Sequence, residues 1–172
     1  MSVILLADDS PHAQRMGQRI LAEEGHRVEC VADGEAAALR LPEVDADVVI
    51  ADAHLPGLSG IELCRCIKSG SRYVRVILTA GSLEELDEAA AKRAGCDAIL
   101  RKPFEASVMA RTLAPLLAAA QRDRQALAAA KSTPLLAVPA DDIRAAVERA
   151  VERELPRLLD ELTQRVLLAL GH

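Results

Sequence analysis

Three short runs in this chain are apolar at nearly every position: VILLA at residues 3–7, VVIA at 48–51 and VILTA at 76–80. A strand with one wet face alternates apolar and polar residues. These runs do not alternate, so both of their faces must be covered. Strands are expected at 3–7, 27–32, 47–52, 75–79 and 98–101, with helix-length segments between and after them at about 10–24, 34–41, 60–68, 83–94 and 105–118. Gly25 and Gly95 stand where helix C-caps fall. Strand alternating with helix predicts an α/β fold, a five-stranded parallel sheet with helices on both faces.

Composition narrows the function classes. Tyr73 and Phe104 are the only aromatic residues, so the core must be Leu, Val, Ile and Ala, and no platform exists for stacking bases. The net charge of -5 offers no basic face to phosphates, and nucleic acid is not expected as a partner. The N-terminal apolar run has no basic flank and is too short for a signal peptide or a membrane span. A cytoplasmic protein without membrane association is expected. Cys30, Cys64, Cys66 and Cys96 show no metal-ligand spacing and read as reduced, mostly buried thiols. His12, His26 and His172 form no cluster, and the His54 side chain is expected to be exposed and a poor metal ligand.

Polar residues fall where the strands end. Asp8 and Asp9 follow the first, Asp52 ends the third, Thr79 ends the fourth, and Lys102 follows the fifth, directly before Pro103. In a parallel sheet the carboxyl ends of all strands share one edge, where open α/β sheets bind ligands. The five residues therefore converge. Crowded carboxylates repel one another, and a hard divalent cation relieves the repulsion; Mg²⁺ favours carboxylate oxygen, water and phosphate. Asp52 then becomes a candidate nucleophile toward phosphorus. Lys102 would stabilise charge on the transferring phosphoryl group, and the Thr79 hydroxyl would donate to one of its oxygens. Singly, each residue has a plainer reading, such as Asp8 as a helix N-cap; the set favours a site.

That set resembles the receiver domain of two-component response regulators, over about residues 1–120. The acidic pair DD, the acceptor motif DAHLPGLSG, LTA after the fourth strand and KPF after the fifth carry the resemblance, in that order. It implies a flavodoxin-like sheet of strand order 2-1-3-4-5 and phosphorylation of Asp52 by a histidine kinase or phosphotransfer protein. It also implies a switch and not a turnover enzyme. Asp9 and Asp52 would be direct Mg²⁺ ligands together with the backbone carbonyl of His54, and Asp8 would act through water. Thr79 and Lys102 would contact the phosphoryl group, and the Lys102–Pro103 bond would be cis. Two departures stand out. Ile99 occupies the position, three before the lysine, where receivers commonly carry Tyr or Phe, so the aromatic part of the usual switch is missing. Ser59 stands where an acidic residue before the last glycine of the acceptor loop is usual. Haloacid-dehalogenase-like phosphatases also form an aspartyl-phosphate, but their DxD pattern is not met by Asp8-Asp9-Ser10. An unphosphorylated receiver-like scaffold is the alternative.

After the receiver the composition shifts. Eight of the seventeen residues from 114 to 130 are Ala, and 121–140 reads as a helical extension and linker ending in STPLLAVPA. Residues 141–172 read as an amphipathic helical segment, with apolar residues at 143, 147, 151, 155, 158, 162, 166 and 170. Pro156 marks either a kink or the first turn of a second helix. No helix-turn-helix or nucleotide-binding glycine loop follows. An amphipathic helix cannot bury its face alone in water. Residues 141–170 are therefore expected to form a homo-oligomer, to grip a helical partner or to dock on the receiver, in that order of preference.

Overall fold

The computed structural model describes residues 1–71 and 73–132. The expected linker beyond residue 132 and the amphipathic segment at 141–172 lie outside them. Five strands, β1 (Val3–Ala7), β2 (Arg27–Val31), β3 (Val48–Asp52), β4 (Arg75–Gly81) and β5 (Ala98–Lys102), alternate with α1 (Pro11–Glu23), α2 (Gly34–Val44), α3 (Gly60–Gly70), α4 (Glu88–Arg93) and α5 (Ala106–Ser132). The strands form one sheet in the order β2-β1-β3-β4-β5, all pairs parallel, with Asp52 in register with Thr79. Sheet, order and fold class are those expected.

Both faces are covered, as the unbroken apolar runs require. Ile4, Leu6, Val48, Ile50 and Ile77 face one side and pack with Leu21 of α1 and Met109, Leu113 and Leu117 of α5. Leu5, Ala7, Val49, Ala51, Val76 and Leu78 face the other and pack with α2, α3 and α4. Alternate residues of one strand thus serve two cores. Each fully buried Leu or Ile side chain stabilises by about 1.5–3 kcal/mol, and these aliphatic contacts replace the rings the chain lacks. All four cysteines are free; Cys64 is buried, but Cys66 is exposed, against the expectation of mostly buried thiols. Burial pushes the Cys64 thiol up to about 11.

Several bounds differ from the expected ones, for local reasons. β4 continues to Gly81, so Thr79 lies within the strand, and Lys102 is the last residue of β5. α2 passes through Pro42 and α5 through Pro115. A proline removes one helical hydrogen bond, but Val44, Leu117 and Ala120 beyond the two prolines are buried and hold the helices to the sheet. α4 has only six residues where a helix over 83–94 was expected. Arg101 donates to the carbonyls of Gly81 (3.3 Å) and Glu84 (2.9 Å), and the Gly81 N–H donates to the Glu84 carboxylate (2.5 Å). Groups that a longer helix would need are already engaged.

At the opposite edge, α5 is fastened to the loops that precede the strands. Arg124 donates to Asp45 Oδ2 (2.8 Å) and to its carbonyl (2.9 Å), pairs with Asp47 (3.1 Å) and lies 4.7 Å from the centre of the Tyr73 ring. Arg75 pairs with Asp123.

The acceptor loop is shaped by close approach. Ser59 and Glu62 form a capping box at the start of α3. Gly60, the first residue of that helix, sits against the backbone of Asp52, where an added Cβ would lie 2.2 Å from the carbonyl oxygen. Gly60→Ala is expected to destabilise the fold by about 2 kcal/mol or more. Gly70→Ala, in the same helix with nothing within 4 Å, should be neutral or slightly stabilising. Urea unfolding of both variants checks this; equal midpoints would contradict the close approach.

Candidate functional site

Asp8 leaves β1 and is positioned by its own backbone and side chain. Its N–H donates to the Val31 carbonyl (3.1 Å), its carbonyl accepts from Gln14 Nε2 (2.6 Å), and its Oδ1 accepts from the Ser10 N–H (2.9 Å). Ser10, and not Asp8, caps α1, its hydroxyl oxygen accepting from the Ala13 N–H at 3.4 Å. Asp8 Oδ2 is thereby left for Lys102, whose Nζ donates to it at 2.6 Å and donates also to Asp52 Oδ2. The other Asp52 oxygen, Oδ1, accepts from the His54 N–H at 2.8 Å.

Asp8, Asp52 and Thr79 are only 3%, 6% and 3% exposed, so their polar groups are largely cut off from solvent. Burial works against the Lys102 charge, but the hydrogen bonds to Asp52 and Asp8 outweigh it and raise its pKa above the ordinary lysine value. Thr79, in register with Asp52, has no hydrogen-bond partner for its hydroxyl among the described residues. Asp9 is exposed. One ammonium pairs with two carboxylates, Asp8 and Asp52, a third follows in the chain at Asp9, and the donors are all oxygen. That is a hard donor set with surplus negative charge, and it fits Mg²⁺.

Asp8, Asp52 and Lys102 are joined directly, with Thr79 alongside and Asp9 next in the chain. The Lys102–Pro103 bond is cis. Ile99 is half-buried, pairs in register with Leu78 and packs into the core shared by α2, α3 and α4, with no ring at that point. Glu84 was not singled out from the sequence, where it falls inside an expected helix. Its carboxylate lies 3.4 Å from His54 Nδ1. One ligand atom each from Asp52, His54 and Glu84 fall within 4.8 Å of one another. The His54 side chain is exposed, as expected.

Residues 4–114 match the family model of the response regulator receiver domain. Among curated proteins, the sensory/regulatory protein RpfC of Xanthomonas campestris pv. campestris is 33% identical over 147 residues, 83% of this chain and 18% of its own length. The transcriptional regulatory protein TcrA of Mycobacterium tuberculosis is 35% identical over 101 residues, 59% of this chain and 40% of its own. The chain thus spans less than half the length of these relatives. Among solved structures, the receiver domain of the sensor histidine kinase PA1611 from Pseudomonas aeruginosa, with a magnesium ion coordinated in its active site cleft, is 29% identical. It covers 68% of this chain and 98% of its own, with a TM-score of 0.62. The chemotaxis protein CheY4 of Vibrio cholerae is 28% identical, covering 67% and 98%, also at TM-score 0.62.

Lys102→Met would leave the carboxylates of Asp8 and Asp52 facing each other without a cation. Breaking a fully buried pair costs about 3–5 kcal/mol. Because the Lys102 side chain is 27% exposed, the expected loss is smaller, about 1–3 kcal/mol, by urea unfolding at pH 7 in chelator-treated buffer. A variant as stable as the parent would show that the ammonium does not hold this edge together.

Proposed function

This chain belongs to the response regulator receiver family, and on that premise we propose that it is a phosphoacceptor switch modified on Asp52. The observation that carries the reading is one ammonium bridging Asp8 and Asp52, with the Thr79 hydroxyl beside them. A carboxylate oxygen of Asp52 attacks the phosphorus of a phosphohistidine. The O–P bond forms as the P–N bond breaks, and the donor imidazole is released. Lys102 exchanges its hold on Asp52 for a phosphoryl oxygen while keeping Asp8, and Thr79 donates to a second oxygen. Its raised pKa keeps the ammonium charged for that role. The chemistry that Mg²⁺ supplies when bound, through Asp9, Asp52 and the His54 carbonyl with Asp8 reached through water, is positive charge opposite the phosphoryl oxygens.

The donor is a histidine kinase or phosphotransfer protein. The chain is read as receiver (1–120), helical extension and linker (121–140) and amphipathic segment (141–172), with residues 141–170 passing the signal on through a homo-oligomer or a helical partner. It acts as a switch and does not turn over a metabolite. No nucleic acid or membrane partner is expected; no helix among the described residues is long and apolar enough to cross a membrane. A cytoplasmic setting fits that donor class.

Incubation with a small acyl phosphate and Mg²⁺ is expected to add one phosphoryl group, read by intact-protein mass. Asp52→Asn and prior chelation should each abolish the gain. A folded parent that takes up no phosphoryl group from either the acyl phosphate or a phosphohistidine donor would favour the scaffold reading instead.

A further inference from the structure

We propose that Asp52, His54 and Glu84 form a binding site for a borderline divalent ion of the zinc class, and that its occupation withdraws the acceptor carboxylate from phosphoryl transfer. Only the second half rests on the phosphoacceptor reading; binding does not. The distance between His54 Nδ1 and Glu84 Oε2 is 3.4 Å. A good N–H···O hydrogen bond is about 2.7–3.2 Å. Two ligands on one tetrahedral centre, at metal distances of about 2.0–2.1 Å, stand roughly 3.3–3.4 Å apart. The pair is spaced as neighbouring ligands, and an Asp52 oxygen completes a trio within 4.8 Å. Water would fill the fourth position.

The site shares Asp52 with the Mg²⁺ set of Asp9, Asp52 and the His54 carbonyl, and donor chemistry distinguishes the two. Imidazole suits zinc and its neighbours, whereas Mg²⁺ takes oxygen. Two of the three ligands, Asp52 and Glu84, are also positioned by hydrogen bonds, as metal ligands characteristically are. The Gly81 N–H fixes the Glu84 carboxylate at 2.5 Å, Arg101 holds the Glu84 carbonyl at 2.9 Å, and the His54 N–H fixes Asp52 Oδ1 at 2.8 Å. Gly81 has a part in this: an added Cβ would lie 2.8 Å from the Glu84 carboxyl carbon, so the fold-back needs an open position there. His54 and Glu84 are 49% and 50% exposed, which leaves the ion a path from solvent. The phosphoryl chemistry uses neither the His54 imidazole nor the Glu84 carboxylate.

The test is calorimetric titration of Zn²⁺ into the tag-free full chain with excess Mg²⁺ present, on a Cys66→Ser background that removes the exposed thiol. His54→Ala and Glu84→Gln should each weaken binding tenfold or more. Glutamine still accepts from the Gly81 N–H, and unchanged unfolding midpoints establish that the fold is kept. Equal affinity in parent and both variants, or no Zn²⁺ binding by the parent, overturns the proposal and leaves an ordinary ion pair. In acyl-phosphate labelling at fixed Mg²⁺, Zn²⁺ should slow the parent. Glu84→Gln, compared with its own zinc-free rate, should need about tenfold more Zn²⁺ for the same inhibition. Zinc that binds through these residues without slowing labelling overturns the inhibitory half. A parent that is never labelled defeats the phosphoacceptor reading, while calorimetry still decides the metal site.

Discussion

The ammonium of Lys102 holds together two carboxylates that the sheet buries side by side. Asp8 and Asp52 are 94 and 50 residues away from it in sequence, so the contact exists only once β1, β3 and β5 are in place. Left unpaired, buried charges of one sign would oppose that closure. The polar edge is therefore both the most expensive part of the fold and the part that reports most directly whether the sheet has assembled. The aliphatic core on both faces supplies the stability that lets this edge carry an excess of acid.

Asp52 is approached from two sides. Its Oδ2 is taken by Lys102 and its Oδ1 by the His54 N–H, so one carboxylate links the Asp8 side of the cleft to the loop between β3 and α3, from which the His54 imidazole reaches Glu84 in the loop between β4 and α4 (3.4 Å). That loop is held from β5. Ile99 and Arg101 share a face of the strand by their two-residue spacing. Ile99 packs into the core there, while Arg101 grips the Gly81 and Glu84 carbonyls and pairs with Glu88 (3.3 Å). Thr79 and Gly81 are two residues apart on β4, and Arg101 holds the Gly81 carbonyl. Where relatives commonly place an aromatic ring, this strand offers an aliphatic side chain and a cation on carbonyls.

Much of this was legible from side-chain type alone. The runs VILLA, VVIA and VILTA demand cover on both faces, and residues that end or follow them must meet at one edge of a parallel sheet. Capping was less legible. Asp8 and Ser10 are both good N-caps by type, and only the geometry assigns the cap to Ser10 and releases Asp8 for Lys102. α4 was overextended because Leu83, Leu86 and the alanines keep a helical rhythm, while the bonds that unwind the front of that helix come from Arg101, on another strand. Long-range side-chain contacts to backbone leave no mark on local periodicity. The pairing of His54 with Glu84 was hidden for the same reason, since it joins two loops 30 positions apart by their numbers in the chain.

The edge opposite Asp52 carries its own polar cluster, and it is made from the same two strands. Asp47 precedes β3 and Arg75 begins β4; both bind α5, through Arg124 and Asp123. Asp52 ends β3 and Thr79 lies near the end of β4. Five residues of strand span about 17 Å, so the acceptor edge and the α5 anchor are joined by two short strands, hydrogen-bonded to each other and buried but for the ends of β4. α5 also lies flat on these strands through Met109, Leu113 and Leu117 against Ile50 and Ile77. A displacement of β3 relative to β4 is therefore felt at both edges at once. With the aromatic position occupied by Ile99, these contacts join the Asp52 edge to α5 through β3 and β4.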